Sequence, residues 1–328
     1  MKKVLVTGGA GYIGSVLVPL LLDYGYETEV LDTFWFWDSP SQYKNAIEDQ
    51  LKNKSSINNL KITTGDIRNI KELDSSLDHI ISLACISNDP SSDLDPAFTH
   101  DVSYNGVCNL IDIAEKSCKK LKNFIYGSSN SVYGIKEEEK VTEDLTTEPL
   151  TQYSKLKLET EKYLSTKNLP HVIVRPSTIC GYSPRQRLDL MINIFVDQAV
   201  NNNEITLHGG DQYRPTLHIK DMCRIYLELV RKETSNGEIY NAGYEYKTAL
   251  DFAEDISKKT NAKITKVETR DQRSYRTCSE KLENDLGFEY HYDSSDAIAE
   301  LAEAFKDGMV DRKYSVNIQV MKELLKIT

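Results

Sequence analysis

The chain has 328 residues, with 40 basic against 50 acidic side chains and a net charge of −10. The length exceeds what one small core needs and suits a large domain with a second lobe, and the acidic balance excludes a general nucleic-acid or anionic-lipid surface, because those partners carry the same sign. No apolar run approaches a bilayer span, and the six cysteines and six histidines show no ligand spacing, so we expect no membrane partner, no metal site and no disulfide framework.

Buried reduced thiols in a cytoplasmic protein are the expected use of those cysteines. The opening MKKVLVTGG has two lysines before an apolar run, as a leader would. It runs into glycines without a cleavage pattern, so we expect folded protein from the first residue.

In chain order, 2–8 reads as a buried strand and 13–25 as a helix. Residues 27–32, 61–66, 79–84, 123–129 and 171–176 read as further strands. Helical patterns lie between most of them, notably at 96–117 and 151–167, and 38–59 reads as a polar loop with a short helix. Strand, helix, strand, repeated, predicts an α/β fold: a Rossmann-type doubly wound parallel sheet. Beyond Pro176 the pattern changes. A helix is expected over 188–200, sheet elements flanking a helix over 216–244, and helices to the end. We expect a cofactor domain over 1–180 with 216–244, and a smaller substrate lobe over 181–215 with 245–328. The KEEEK run at 136–140 reads as a solvated turn.

VTGGAGYIG joins the first strand to the first helix. Gly8, Gly11 and Gly14 repeat every third residue, a variant of the dinucleotide fingerprint. Gly8 would allow the tight turn, Gly11 backbone approach to a pyrophosphate, and Gly14 packing of helix on strand. Tyr12 and Ile13 stand where helix N–H groups face the phosphates. Asp32 ends the second strand, where a carboxylate meets ribose hydroxyls and repels a 2′-phosphate. No arginine follows before Arg68, which predicts NAD rather than NADP. Asp66 and Ile67 could hold adenine, and Leu83 and Ala84 could line the cofactor. The Phe34–Trp37 aromatic run fits either a wall of the adenine site or a lobe or dimer contact.

Tyr153 lies one helical turn before Lys157 in TQYSKLK, and Ser129 ends the fifth strand. Strand ends at the carboxyl edge line the crevice of such sheets, so the three can meet. At this point the chain resembles the extended short-chain dehydrogenases/reductases, specifically the NAD-dependent nucleotide-sugar epimerases/dehydratases. The resemblance rests on TGGAGYIG, Asp32, GDI, LA, SSNSVYG, YSKLK, RPSTICGYSP and RPTLHIKD, up to about residue 221, with a weaker match at DQRSYRTCSEKLENDLGF.

That resemblance implies that Tyr153 is the acid/base, that Lys157 holds the nicotinamide ribose and that Ser129 bonds the reacting oxygen, with Ser128 and Pro176 on the cofactor side. A free phenol titrates near ~10, so a base poised near 7 needs a shift worth ~4 kcal/mol. One cation ~6 Å away at an effective dielectric of ~20 supplies about 3 kcal/mol. Lys157 alone therefore falls short, and a second positive charge and the helix dipole are needed. Dehydratases of the family carry an acidic residue two places before the YG tyrosine, and 3,5-epimerases a cysteine; here that residue is Ser131, preceded by Asn130. What remains resembles the simpler C4 redox type acting on a nucleotide-diphosphate sugar through a 4-keto intermediate. The expected activity is epimerisation. A C4 dehydrogenase or 4-keto reductase, GDP-heptose oxidoreductases included, is the alternative, and an NAD-binding regulator or scaffold is the alternative of another class.

On the substrate side, Arg185, Arg187, Arg214 and Arg273 are diphosphate candidates, because guanidinium forks match phosphate geometry. By resemblance Arg214 is the best match and Arg273 the next, while Arg187 reads as a solvated helix-start residue. Asn193 could reach a phosphate or face solvent. Asn130 and Thr178 are placed at the sugar, and His218 in a core hydrogen bond. Helices 96–117 and 151–167 resemble the four-helix contact of family homodimers.

Overall fold

The computed structural model describes residues 1–234, 236–268 and 276–327. Twelve strands appear among them: β1 (Lys3–Thr7), β2 (Glu27–Asp32), β3 (Leu60–Thr64), β4 (His79–Ser82), β5 (Asn123–Gly127), β6 (His171–Pro176), β7 (Thr178–Cys180), β8 (Glu204–His208), β9 (Tyr213–His218), β10 (Asn236–Ala242), β11 (Glu245–Thr248) and β12 (Lys263–Val267). Seven form one parallel sheet in the order β10-β6-β5-β4-β1-β2-β3. The inner strands are Val- and Ile-rich and buried, as a sheet covered on both faces requires.

The order reverses between β1 and β4, so chain leaves that point in both directions and a crevice opens at their carboxyl ends. Helices α1 (Gly14–Asp23) and α2 (Pro40–Gln50) cover one face. The short helices α3 (Asp89–Ser92) and α4 (Pro96–His100) precede α5 (Gly106–Ser117), which packs with α6 (Gln152–Ser165) on the other face. The helix expected over 96–117 is continuous but carries a π turn at Asp101–Asn105. The short helix expected within 38–59 is α2, eleven residues long with Ser39 capping it through Gln42 N, and a 3₁₀ turn follows at Lys54–Asn59.

Helix α7 (Met191–Asn202) begins the smaller lobe, and α8 (Ile219–Lys232) returns to pack on α1 against the main sheet. Then come α9 (Ala249–Thr260), α10 (Glu280–Leu286), α11 (Ser294–Lys306) and α12 (Asn317–Leu325). Val196, Phe252, Ile256 and Leu301 form a separate lobe core beside the parallel pair β8–β12. Strand β9 does not join the main sheet. It pairs with β7 and β11 in a three-stranded sheet that draws on both sides of the lobe boundary expected from sequence. Among the described residues, no helix is long and apolar enough to cross a membrane.

Candidate active site

One cavity runs along the carboxyl edge of the sheet, from Asp32 and Asp66 past the glycine loop to Ser129, Tyr153 and Thr178. Gly8 sits at the switch point with φ 71°, and a Cβ there would lie 2.6 Å from Ala84 N, so β1 and β4 can approach only without it. At Gly14 a Cβ would meet Gly9 O at 2.4 Å, so the first turn of α1 can close against the loop that leaves β1 only without one. Gly11 lines the cavity, and a Cβ on it would meet only Gly8 O, at 3.1 Å. The space before Gly11 is therefore free for a ligand to reach backbone, as a dinucleotide pyrophosphate needs.

Three side chains brace this loop from outside. Asp32 accepts from Ala10 N at 2.9 Å and from Phe34 N at 2.8 Å. Trp37 Nε1 donates to Ala10 O at 2.8 Å, and the buried Tyr43 hydroxyl donates to Gly9 O at 3.0 Å. The aromatic run thus has a place: Trp35 and Phe36 line the cavity, while Phe34 and Trp37 pack edge-on to Tyr43. Burial raises the Asp32 carboxyl, opposed by the backbone N–H groups it accepts from. Asp66 and Ile67 line the same end, with both Asp66 oxygens accepting from Arg68. Arg68 also pairs with Asp101 and lies over Phe98, so its charge is committed away from a 2′-phosphate.

At the other end, a reciprocal cap between Thr151 and Ser154 starts α6 and sets Tyr153 in its first turn. Lys157, one turn on, is 5% exposed; its Nζ donates to Gly127 O at 2.6 Å and lies 5.7 Å from the Tyr153 ring centre. Burial alone would lower the Lys157 ammonium, but Cys85, Tyr126 and Tyr153 outweigh it and the group is raised, hence charged. Burial raises the Tyr153 phenol. Lys157 pulls it down by less, Cys85 pushes it up, and Arg187 and a hydrogen bond with Ser129 pull it down. One lysine does not offset burial here, in line with the energy argued from sequence.

Ser129 starts a 3₁₀ turn and accepts from Ser131 N at 3.2 Å and Ser131 Oγ at 2.9 Å. Asn130 lines the cavity, and its Nδ2 donates across to Thr277 Oγ1 at 3.0 Å. Behind this turn the Ser128 hydroxyl donates to Glu161, which is forked into Arg175 at 3.0 and 2.7 Å. Arg175 donates on to the Tyr133 hydroxyl at 2.8 Å. This buried, fully paired network fixes the strand end that carries Ser128 and Ser129.

Leu83, Ala84, Ser128, Pro176, Thr178 and Arg185 all stand in the cavity wall. Two expectations require correction. Asn193 neither reaches a phosphate nor faces solvent: it is fully buried, accepts from Gly181 N at 3.0 Å and donates to the Tyr12 hydroxyl and Arg187 O, each at 3.0 Å. Arg187 is not solvated; it lines the cavity and pairs with Asp189 at 2.8 Å, and Asp189 also accepts from Asn88 at 2.6 Å. Arg214 lies on β9 outside the cavity wall, and Arg273 lies outside the described residues. His218 is buried, accepts from Lys220 N at 3.1 Å and stacks on Tyr292, which fits its expected core role. Sequence reading missed Tyr43, Cys85 and Asn317. Only the aromatic run hinted at a brace, because the partners of Tyr43 and Asn317 are far away in sequence.

The family model described as the NAD dependent epimerase/dehydratase family matches residues 4–243. The low-salt glycan biosynthesis protein Agl12 of Haloferax volcanii is 31% identical over 251 residues, which cover 73% of this chain and 76% of that protein. The dTDP-D-glucose 4,6-dehydratase of Homo sapiens is 30% identical over 262 residues, covering 76% and 71%. Among solved structures, UDP-glucuronic acid 4-epimerase from Bacillus cereus in complex with NAD matches with a TM-score of 0.78 at 26% identity, over 94% of this chain and 100% of that one.

Proposed function

The chain belongs to the NAD dependent epimerase/dehydratase family, and on that premise we propose that it epimerises a nucleotide-diphosphate sugar at C4 through a 4-keto intermediate. The observation that carries this reading is the meeting of Tyr153, Lys157 and Ser129 in one cavity with the glycine loop, beside a turn whose Asn130 and Ser131 provide no carboxylate. A dehydratase needs a further base to remove the proton next to the ketone, and the hydroxyl of Ser131 is too weak an acid–base group for that.

Gly8, Gly11, Tyr12, Ile13 and Gly14 would hold the dinucleotide phosphates and Asp32 its ribose, with Lys157 at the nicotinamide ribose. Bound NAD⁺ supplies the acceptor and later donor of the C4 hydride and a second positive charge beside the phenol. Tyr153 takes the C4 hydroxyl proton as the 4-keto sugar forms and returns it when the opposite face is reduced. Ser129 donates to the C4 oxygen and keeps it within reach of that phenol. Lys157, held to Gly127 O, keeps its charge in place through both half-reactions. Thr178 and Asn130 line the sugar site, and Arg187 approaches it from the second lobe. The outward faces of the helical stretch 96–117 and of α6, where Tyr104 of the π turn meets Tyr163 at 6.3 Å, are the homodimer contact in this reading.

The test is product analysis. Incubation with UDP-, GDP-, CDP- and dTDP-sugars and a trace of NAD⁺ should give a C4 epimer, identified by NMR, without net NADH. Stoichiometric NADH with a released 4-keto product would replace the epimerase by a C4 dehydrogenase.

A further inference from the structure

We propose that Arg185 belongs to the cofactor rather than to the substrate: it is the cation that closes over the dinucleotide pyrophosphate, carried there by a strap made from the second lobe and the C-terminal segment. The inference rests on the reading that the cavity holds a dinucleotide, and it reassigns the residue that the sequence placed on the substrate diphosphate.

The guanidinium of Arg185 is 4% exposed and lies 3.8 Å above the ring of Phe36, in the loop that follows Asp32. Its Nη2 donates to Asn317 Oδ1 at 2.6 Å, a neutral acceptor, and its Nε is buried without a partner among the described residues. The neighbouring carboxylate Asp189 is taken by Arg187 and Asn88. A buried guanidinium without a carboxylate partner is costly, and burial, with Arg187 adding to it, drives Arg185 down to about 9. An anion beside it would remove that cost.

The backbone around Arg185 fixes which anion. Its segment is stitched to the glycine loop at Tyr12, whose hydroxyl donates to Gly181 O at 2.7 Å, while Ser183 Oγ donates to Tyr12 O at 2.8 Å. The segment that carries Arg185 thus lies against Tyr12 at the start of α1, where backbone N–H groups converge, and Arg185 lines the same cavity as Gly11 and Ile13. Arg187, two residues on, is the one near enough to act on Tyr153. The pair divides the cavity, Arg185 toward the pyrophosphate and Arg187 toward the sugar.

The strap explains how Arg185 stays there. Leu188 N donates to Ser315 O at 2.8 Å, Asn317 Nδ2 donates to Ser87 Oγ at 3.0 Å, and Tyr314 donates to Asp38 at 2.7 Å. The C-terminal segment therefore ties the 184–190 loop, the aromatic loop and the loop after β4 to one another across the cavity. A dinucleotide under Arg185 leaves only when these contacts open, so the strap sets its exchange rate.

The experiment measures cofactor exchange without turnover. Full-length protein loaded with radiolabelled NAD⁺ is chased with unlabelled NAD⁺, and UDP, dTDP and GDP affinities are measured by calorimetry. Arg185→Gln should speed release at least ~10-fold, the equivalent of one lost charged contact. Asn317→Ala, which keeps Arg185 but cuts its tether, should speed release in the same direction by less. Nucleoside-diphosphate affinity should stay within ~2-fold in both, a change too small to mark a lost contact. Unchanged release with weakened nucleoside-diphosphate binding would return Arg185 to the substrate and overturn the proposal, as would unchanged values of both. If Arg185→Gln does not fold, unchanged release in Asn317→Ala overturns it alone. A wild-type protein that binds no NAD⁺ would instead sink the reading of the cavity itself.

Discussion

At the end of the cavity nearer the glycine loop, Asp32, Trp37 and Tyr43 each hydrogen-bond the backbone of that loop. At the chemical end, Tyr153 and Ser129 present hydroxyls to the cavity while the paired network of Glu161 and Arg175 stands one layer behind them. The first end is a rigid cradle in which side chains shape the main chain that faces the cavity. The second turns its hydroxyls into the cavity and puts the rigidity in their supports. The difference follows from the task. Phosphate binding needs fixed N–H groups, whereas proton transfer needs a group whose charge can change.

The sharpest way to break that contrast is Tyr153→Phe, which removes the hydroxyl and leaves the cradle alone. Turnover should fall ~100- to 10,000-fold, the range for a general acid–base group, while NAD⁺ still binds. Near-normal turnover would take Tyr153 out of the chemistry.

Lys157→Met probes the electrostatics of the same end. Lys157 lowers the Tyr153 phenol, so removing it must raise that phenol further and demand a more alkaline solution for the same phenolate fraction. The alkaline-rising limb of kcat/KM against pH should move up by about two units, the equivalent of one charge ~6 Å away at an effective dielectric of ~20. A limb that stays in place would show that another group sets it.

The smallest change is expected at the cradle. Trp37→Phe removes one hydrogen bond to Ala10 O, about 1 kcal/mol, and should weaken NAD⁺ binding several-fold in a titration while leaving kcat at saturation unchanged. A loss of kcat with unchanged NAD⁺ affinity would reverse the assignment of roles between the two ends.

The glycine loop, Asp32, and the Ser129, Tyr153 and Lys157 group were legible because each is read within one strand–turn–helix unit. Periodicity and spacing there report local geometry directly. Arg187 and Asn193 were misread for the opposite reason. Both stand near the start of α7, a place where polar residues commonly face water. What turns them inward is Asp189 with Asn88 for the one and Tyr12 for the other, and two of those three partners lie about a hundred or more residues away.

By itself, then, the chain of amino acids made legible the doubly wound sheet, the glycine-loop crevice and the tyrosine–lysine pair that faces it, since hydrophobic period, glycine spacing and a one-turn separation are short-range facts. Tertiary structure alone decided which arginine faces which part of the cavity, why an aromatic run follows Asp32 and what Asn317 is for. Those answers depend on charges and rings meeting across loops distant in sequence, where burial makes each unpaired group costly and no local pattern records its partner.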